Sequence, residues 1–148
     1  MTKHEAVKEY FQIKVIELAE KNIQFNFSPE NVDGISIVTR YAGQQIGNFI
    51  NGDTEKEYGF AIKITKPYST DLDEVNIEAM NFAQAFMDWL EEQNRNKKFP
   101  NFGELCEVEL IENLQNMPNI AWIDPEAGIA QYMVQGRILY REKSKQSW

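Results

Sequence analysis

The side chains that could do chemistry are few and badly spaced for it. The chain has 148 residues, with one histidine, His4, and one cysteine, Cys106. A Ser–His or Cys–His nucleophilic pair would have to recruit His4. That residue opens an amphipathic segment among helix-surface neighbours, so it reads as an exposed structural histidine near a frayed end. Cys106 alternates with Glu107 and Glu109 on the apolar side of a strand, where a free cysteine behaves as a small buried hydrophobe. One Cys and one His cannot complete a zinc site without carboxylates. Asp71-Leu72-Asp73-Glu74 is acidic enough for calcium but lacks the twelve-residue loop with its central glycine and terminal glutamate; helix capping explains it. Gly43 and Gly47 lack the third glycine and following helix of a dinucleotide site, and no glycine run ends in Gly-Lys-Ser/Thr. The 23 acidic residues permit many carboxylate pairs, but no spacing singles one out. Trp89, Trp122 and the tyrosines read as core rather than as a ligand box. The expectation is a chain with no catalytic residue, no cofactor and no metal.

Composition narrows the classes further. A chain of this length forms one ordinary domain, residues 1–148, with a frayed tail from Ser144. Hydrophobic residues make up 43%, enough to offset chain entropy in a packed core. A single cysteine fits a reducing compartment. No leader peptide is expected, and no run approaches the roughly 18 apolar residues of a membrane span. The net charge of −8 repels nucleic acid at long range. Asn94-Arg95-Asn96-Lys97-Lys98 and Arg137 to Lys145 are the basic exceptions, read as a helix C-terminus and a solvated tail. Neither nucleic acid nor membrane is expected as a partner.

The elements follow from periodicity. Val7, Phe11, Val15 and Leu18 share one face of a helix from about His4 to Lys21, with Thr2 and Glu5 as a capping box. Ile23, Phe25 and Phe27 alternate as a strand. Ser28 to Gly34 breaks the chain, and Ile35 and Ile37 start a strand that Ala42-Gly43 interrupts. Asn51-Gly52 predicts a type I′ turn into a strand with Tyr58, Phe60, Ile62 and Ile64 on one face, ended by Pro67. Thr70 to about Arg95 is a second helix, capped by Thr70 or Asp71. Its apolar face holds Val75, Ala79, Phe82, Ala83, Phe86 and Leu90. Cys106, Val108 and Leu110 form a strand with one solvated face. Ile120 to Ile123 is a short apolar run, Asp124 to Gly128 a turn, and Tyr132, Val134, Gly136, Ile138 and Tyr140 line the last strand. Two helices separating strand runs give an α+β fold, with a mixed or antiparallel sheet and both helices packed on it.

The C-terminal third carries a resemblance. Leu114-Gln115-Asn116-Met117-Pro118-Asn119-Ile120-Ala121-Trp122-Ile123-Asp124, then Gly128-Ile129-Ala130-Gln131-Tyr132-Met133, then Arg137-Ile138-Leu139-Tyr140, resembles the minor capsid proteins of phages and prophages of Gram-positive bacteria. Those proteins are similar to tail terminators. The resemblance implies a structural protein of the virion head–tail junction. Copies would form a ring, typically of six, that caps the tail tube protein and offers a surface to head-completion or connector proteins. Two segments are the candidate subunit interfaces. One is Tyr41 to Thr54, with Gln44, Gln45, Asn48, Asn51 and Asp53. The other is Asn113 to Gly128, with Gln115, Asn116, Trp122, Asp124 and Glu126. Charge reversal at Asp53 or Asp124 is expected to spare the fold and impair assembly. The alternative class is a small acidic binding or immunity-type module of a bacterial cytoplasm, whose charge suits a basic partner; an enzyme working through carboxylates is a third.

Overall fold

The structure is a computed structural model, and it describes residues 2–19, 24–25, 35–71, 73–115 and 117–144. The chain runs α1 (Lys3–Ala19), β1 (Gln24–Phe25), β2 (Ile35–Asn48), β3 (Thr54–Pro67), α2 (Asp73–Arg95), β4 (Cys106–Asn113), β5 (Asn119–Asp124) and β6 (Ile129–Glu142). The α+β class is as the periodicity predicts. The strands make one sheet in the order β1-β2-β3-β6-β4, with β5 also on β6. Every pairing is antiparallel except that of β1 with β2.

The capping box forms as expected. Glu5 N donates to Thr2 Oγ1 at 3.1 Å and Thr2 N to Glu5 Oε1 at 3.3 Å, so each residue satisfies a backbone donor of the other. The bonds from Thr2 hold the Glu5 carboxyl below its ordinary range. Val7 and Phe11 are buried. The Val15 and Leu18 side chains lie outside the described residues, as do Ile23, Phe27, Ser28 to Gly34 and the chain from 145 onward.

The sheet's core face carries Ile35, Ile37, Tyr58, Phe60, Ile62, Ile64, Ile111, Tyr132, Val134, Ile138 and Tyr140, all buried. Both helices cover this face. Phe11 brings α1 to 5.0 Å from the Phe60 ring and 5.6 Å from Trp89 of α2. The α2 helix is pinned to β4 by two side-chain amides: Ile111 N donates to Asn94 Oδ1 at 3.1 Å, and Asn113 Nδ2 donates to the Met87 carbonyl at 3.0 Å. Two glycines make room for aromatics. A Cβ on Gly136 would lie 2.5 Å from the Phe60 ring, and one on Gly59 would lie 2.5 Å from the Tyr41 ring.

Four expectations need correction. Ala42-Gly43 interrupts the regular register of β2 but does not divide it into two stretches. The strand runs on to Asn48 and absorbs its irregular residues as register shifts against β3, which bend an edge strand without ending it. The hairpin turn is not type I′. Only Gly52 takes positive φ there, at 94°, while Gly52 N donates to the Phe49 carbonyl at 3.0 Å and Phe49 N to that of Asp53 at 2.8 Å. This is a type I turn closed by a glycine bulge, the other common short hairpin. The α2 helix starts at Asp73, after a clasp in which Asn76 Oδ1 accepts from Ser69 N at 3.0 Å and Asn76 Nδ2 donates to the Ser69 carbonyl at 2.8 Å. Finally, a shift between Val108 and Leu110 flips the phase of β4, so Ile111 rather than Leu110 is buried.

Phe86 is 1% exposed, whereas Phe82 is half-buried with the Lys66 ammonium 3.8 Å from its ring centroid. Phe86→Ala should cost roughly 3–5 kcal/mol, as large-to-small core changes do, and Phe82→Ala clearly less. Denaturant midpoints of the two variants check this, and equal costs would contradict the packing.

Candidate functional site

The two expected interface segments lie at opposite ends of the sheet. The β2–β3 turn sits where Thr54 pairs Glu142 at the end of β6, and the Asp124–Gly128 turn sits where Asp124 pairs Ile129 at its start. At about 3.3 Å per residue the length of β6 separates them by on the order of 40 Å. No single site therefore contains both.

At the first end, Tyr41 to Asn48 is strand rather than loop. Gln44, Gln45, Asn48 and Asn51 are exposed, and Gln45 Nε2 donates to Asn48 Oδ1 at 2.7 Å. Asp53 differs: it is only 8% exposed. Its carboxylate accepts from Arg141 Nε at 2.8 Å, from the Ser144 backbone N–H at 2.8 Å and from Asn51 Nδ2 at 3.1 Å. The Arg141 guanidinium also stacks 3.8 Å from the Phe49 ring centroid. Asp53 is thus the anchor tying the hairpin to the end of β6. Charge reversal there would bury an unmatched cation beside Arg141, so the expectation that it spares the fold is withdrawn.

Arg137 and Arg141 are likewise not a solvated basic tail. Arg137 bridges Glu112 and Glu57, the latter at 3.0 Å, and Lys56 meets Glu142 at 2.7 Å. These ion pairs run across β4, β6 and β3.

At the second end the structure shows a surface that the sequence hides. All six residues of β5 are exposed. Ile120 is 47% exposed, Trp122 39% and Ile123 40%, with Leu114 and Met117 exposed just before them. The expectation that Trp122 is core is corrected: among the described residues β5 pairs only with β6, and the side chains on both of its faces are exposed. Asp124 and Glu126 are exposed too, and Asp124 Oδ1 accepts from Ala127 N at 3.2 Å to hold the turn. Gln115 is half-buried with its carbonyl oxygen turned inward, and Asn116 lies outside the described residues. A short uncharged apolar run normally reads as buried strand, so nothing in the pattern separates this one from core.

His4 is exposed but tied down. Its Nδ1 lies 2.8 Å from Tyr58 Oη and 3.3 Å from Thr39 Oγ1, and those two hydroxyls are 2.7 Å apart. The trio joins the start of α1 to β2 and β3. Sequence spacing gives no sign of it, because His4 stands 54 residues from Tyr58 and 35 from Thr39. Burial pushes the Tyr58 phenol above its ordinary range, so it stays a neutral hydrogen-bonding group. Cys106 is half-buried, and burial raises its thiol, which lowers its reactivity. Among the described residues no group of three or more His, Cys, Asp or Glu is placed to hold a metal, and no helix is long and apolar enough to cross a membrane.

No protein-family model matches the chain, and no curated protein is significantly similar to it. What the protein does must be argued from these surfaces: an exposed apolar strand at one end of the sheet and a polar hairpin at the other.

The Asp53 anchor makes an acid-linked contribution to stability. Hydrogen bonds from Ser144 N, then Arg141 and Asn51, hold its carboxyl below the ordinary carboxylate range. A depressed folded-state pKa means that the contribution is complete above the unfolded pKa of about 3.9 and is lost as pH falls through the lower folded value. The stability gap between wild type and Asp53→Asn should therefore be constant near neutrality and shrink progressively below about pH 4. Denaturant midpoints across that range measure it, and a gap that widens on acidification would contradict the anchor.

Proposed function

We propose that the protein is a structural component of the head–tail junction of a long-tailed phage, a minor capsid or tail-terminator protein. In this reading copies form a ring, typically of six, on the end of the tail tube. The ring stops tube growth and offers the surface that head-completion or connector proteins join.

One observation carries the reading: β5 is an apolar strand with exposed side chains and, among the described residues, an unpaired outer edge, and it lies within the run from Leu114 to Tyr140 that resembles the minor capsid proteins. An uncovered edge of this kind is a template for another chain, and apolar surface of this kind marks interaction sites. The separation of the two exposed ends supports the ring as well. A head-to-tail contact needs two different surfaces on each copy, and it closes into a ring when the rotation permits. The alternative, a small acidic binding module of a bacterial cytoplasm, draws on exposed Glu107 and Glu109 of β4, which suit a basic partner. Genes for portal, capsid and tube proteins beside this one would favour the junction reading over the module.

Deletion of the gene in the parent phage should give abnormally long tails or tails without heads, scored by electron microscopy. Complementation by Gln44→Lys or Asp124→Lys should restore neither length nor head attachment, while both variants keep the wild-type fold by circular dichroism. Normal tails with normal heads in the deletion strain would remove the junction reading. Full complementation by both variants would instead remove these two positions from the assembly surface.

A further inference from the structure

The outer edges of the sheet are not equally protected. Beyond Ile37, where its pairing with β1 ends among the described residues, β2 carries three register shifts against β3, and bulges of this kind blunt an edge. The edge of β4 carries exposed Glu107 and Glu109, and charge blunts an edge as well. From Asn119 to Ile123, β5 carries no charge and no proline and a single register shift against β6.

Its sequence is close to its own reverse. Asn119-Ile120-Ala121-Trp122-Ile123-Asp124 read backwards keeps polar ends, isoleucines next to them and a small–large pair at the centre. If two such strands run antiparallel, Asn119 lies opposite Asp124, Ile120 opposite Ile123, and Ala121 opposite Trp122. Polar meets polar, apolar meets apolar, and no acid faces an acid. The bulge in β5 completes the match. The register pairs Ile120 with Tyr132 and Ile123 with Ala130, with the shift between Ile120 and Trp122. Cross-strand partners share a face, so both isoleucines point to the helix side, where Tyr132 and Ala130 belong to the core. Without the extra residue, positions three apart would point to opposite faces. In the paired arrangement the four isoleucines of two copies form one apolar cluster on that side.

We infer that β5 is a two-fold self-association strand, whose partner is β5 of a second copy in antiparallel register. The contact joins two sheets into one, with the helix layers of both copies on the same side. It is isologous, so it differs from the head-to-tail contact of a ring, competes with that contact for the same β5 edge, and does not depend on the head–tail reading. The strand offers 6 residues a side, against the roughly 20–30 of a standard interface, so the dimer is weak and depends on concentration.

Sedimentation velocity of the full chain over a wide concentration range tests this. The wild type should pass from monomer to dimer as concentration rises. Ile120→Lys alone and Ile123→Glu alone should stay monomeric, since each sets a charge against an isoleucine of its twin; both should keep the wild-type circular dichroism, because the positions are exposed. An equimolar mixture of the two should recover the dimer, because Lys at 120 then faces Glu at 123 of the other variant. A wild type that stays monomeric at the highest concentration overturns the inference and leaves β5 to a strand of another protein. A dimer insensitive to both substitutions places the contact elsewhere and overturns it as well. Two monomeric variants that fail to recover when mixed overturn the antiparallel register.

Discussion

The structure depends on the pairing of one strand, β6. It is bonded to β3 along its whole length, from Thr54 opposite Glu142 to Pro67 opposite Ile129. Its other edge is shared in series by β4, against residues 136–142, and β5, against residues 129–133. Because alternate residues of a strand face opposite sides, this one strand presents Tyr132, Val134, Ile138 and Tyr140 to the helices and Arg137 and Arg141 to the ion pairs on the other side. A slip of one residue would bury the arginines and expose the tyrosines. Gly136 suits this register, since a Cβ there would lie 2.5 Å from the Phe60 ring.

The same strand sets where surfaces can be. Its C-terminal half is flanked by β3 and β4, with the helix layer and the aromatic Phe102 beside Tyr58 and Tyr140 closing one face. Its N-terminal half has β5 as its outer neighbour. Among the described residues β5 pairs with β6 alone, and its three large apolar side chains are exposed. Uncovered apolar surface of this kind opposes solubility, and the net charge of −8 works in the other direction by keeping copies apart. Under the proposed β5 pairing, local apolar contact would favour self-association while overall charge would limit it.

The parts of the fold legible in the sequence are those ruled by local periodicity. The α2 face, the alternation in β3 and β6 and the Thr2–Glu5 capping box all depend on residues within a few positions of one another. What the sequence hides is non-local or a matter of phase. The bulges in β2 and β4 shift the alternation without changing composition, so β2 looks interrupted and Leu110 looks buried. Asp53 looks like a polar loop residue because its partner Arg141 is 88 residues away. The His4–Tyr58–Thr39 trio is hidden in the same way. Of the candidate interface residues, Gln44, Gln45, Asn48, Asn51, Trp122, Asp124 and Glu126 are exposed. The apolar residues around them, Ile120 and Ile123 above all, escape notice because a buried strand and an uncovered edge strand share one composition. Only the number of layers above a strand separates them, and that is a property of the fold.

The central claim is that the exposed ends of this sheet are assembly surfaces of a tail-capping ring. Electron microscopy of the purified protein incubated with purified tail tubes tests it most directly. The account predicts ring-shaped density at one end of each tube, and none along its length. Tubes whose ends are indistinguishable from untreated ones, at protein concentrations far above that of the tube ends, would contradict it.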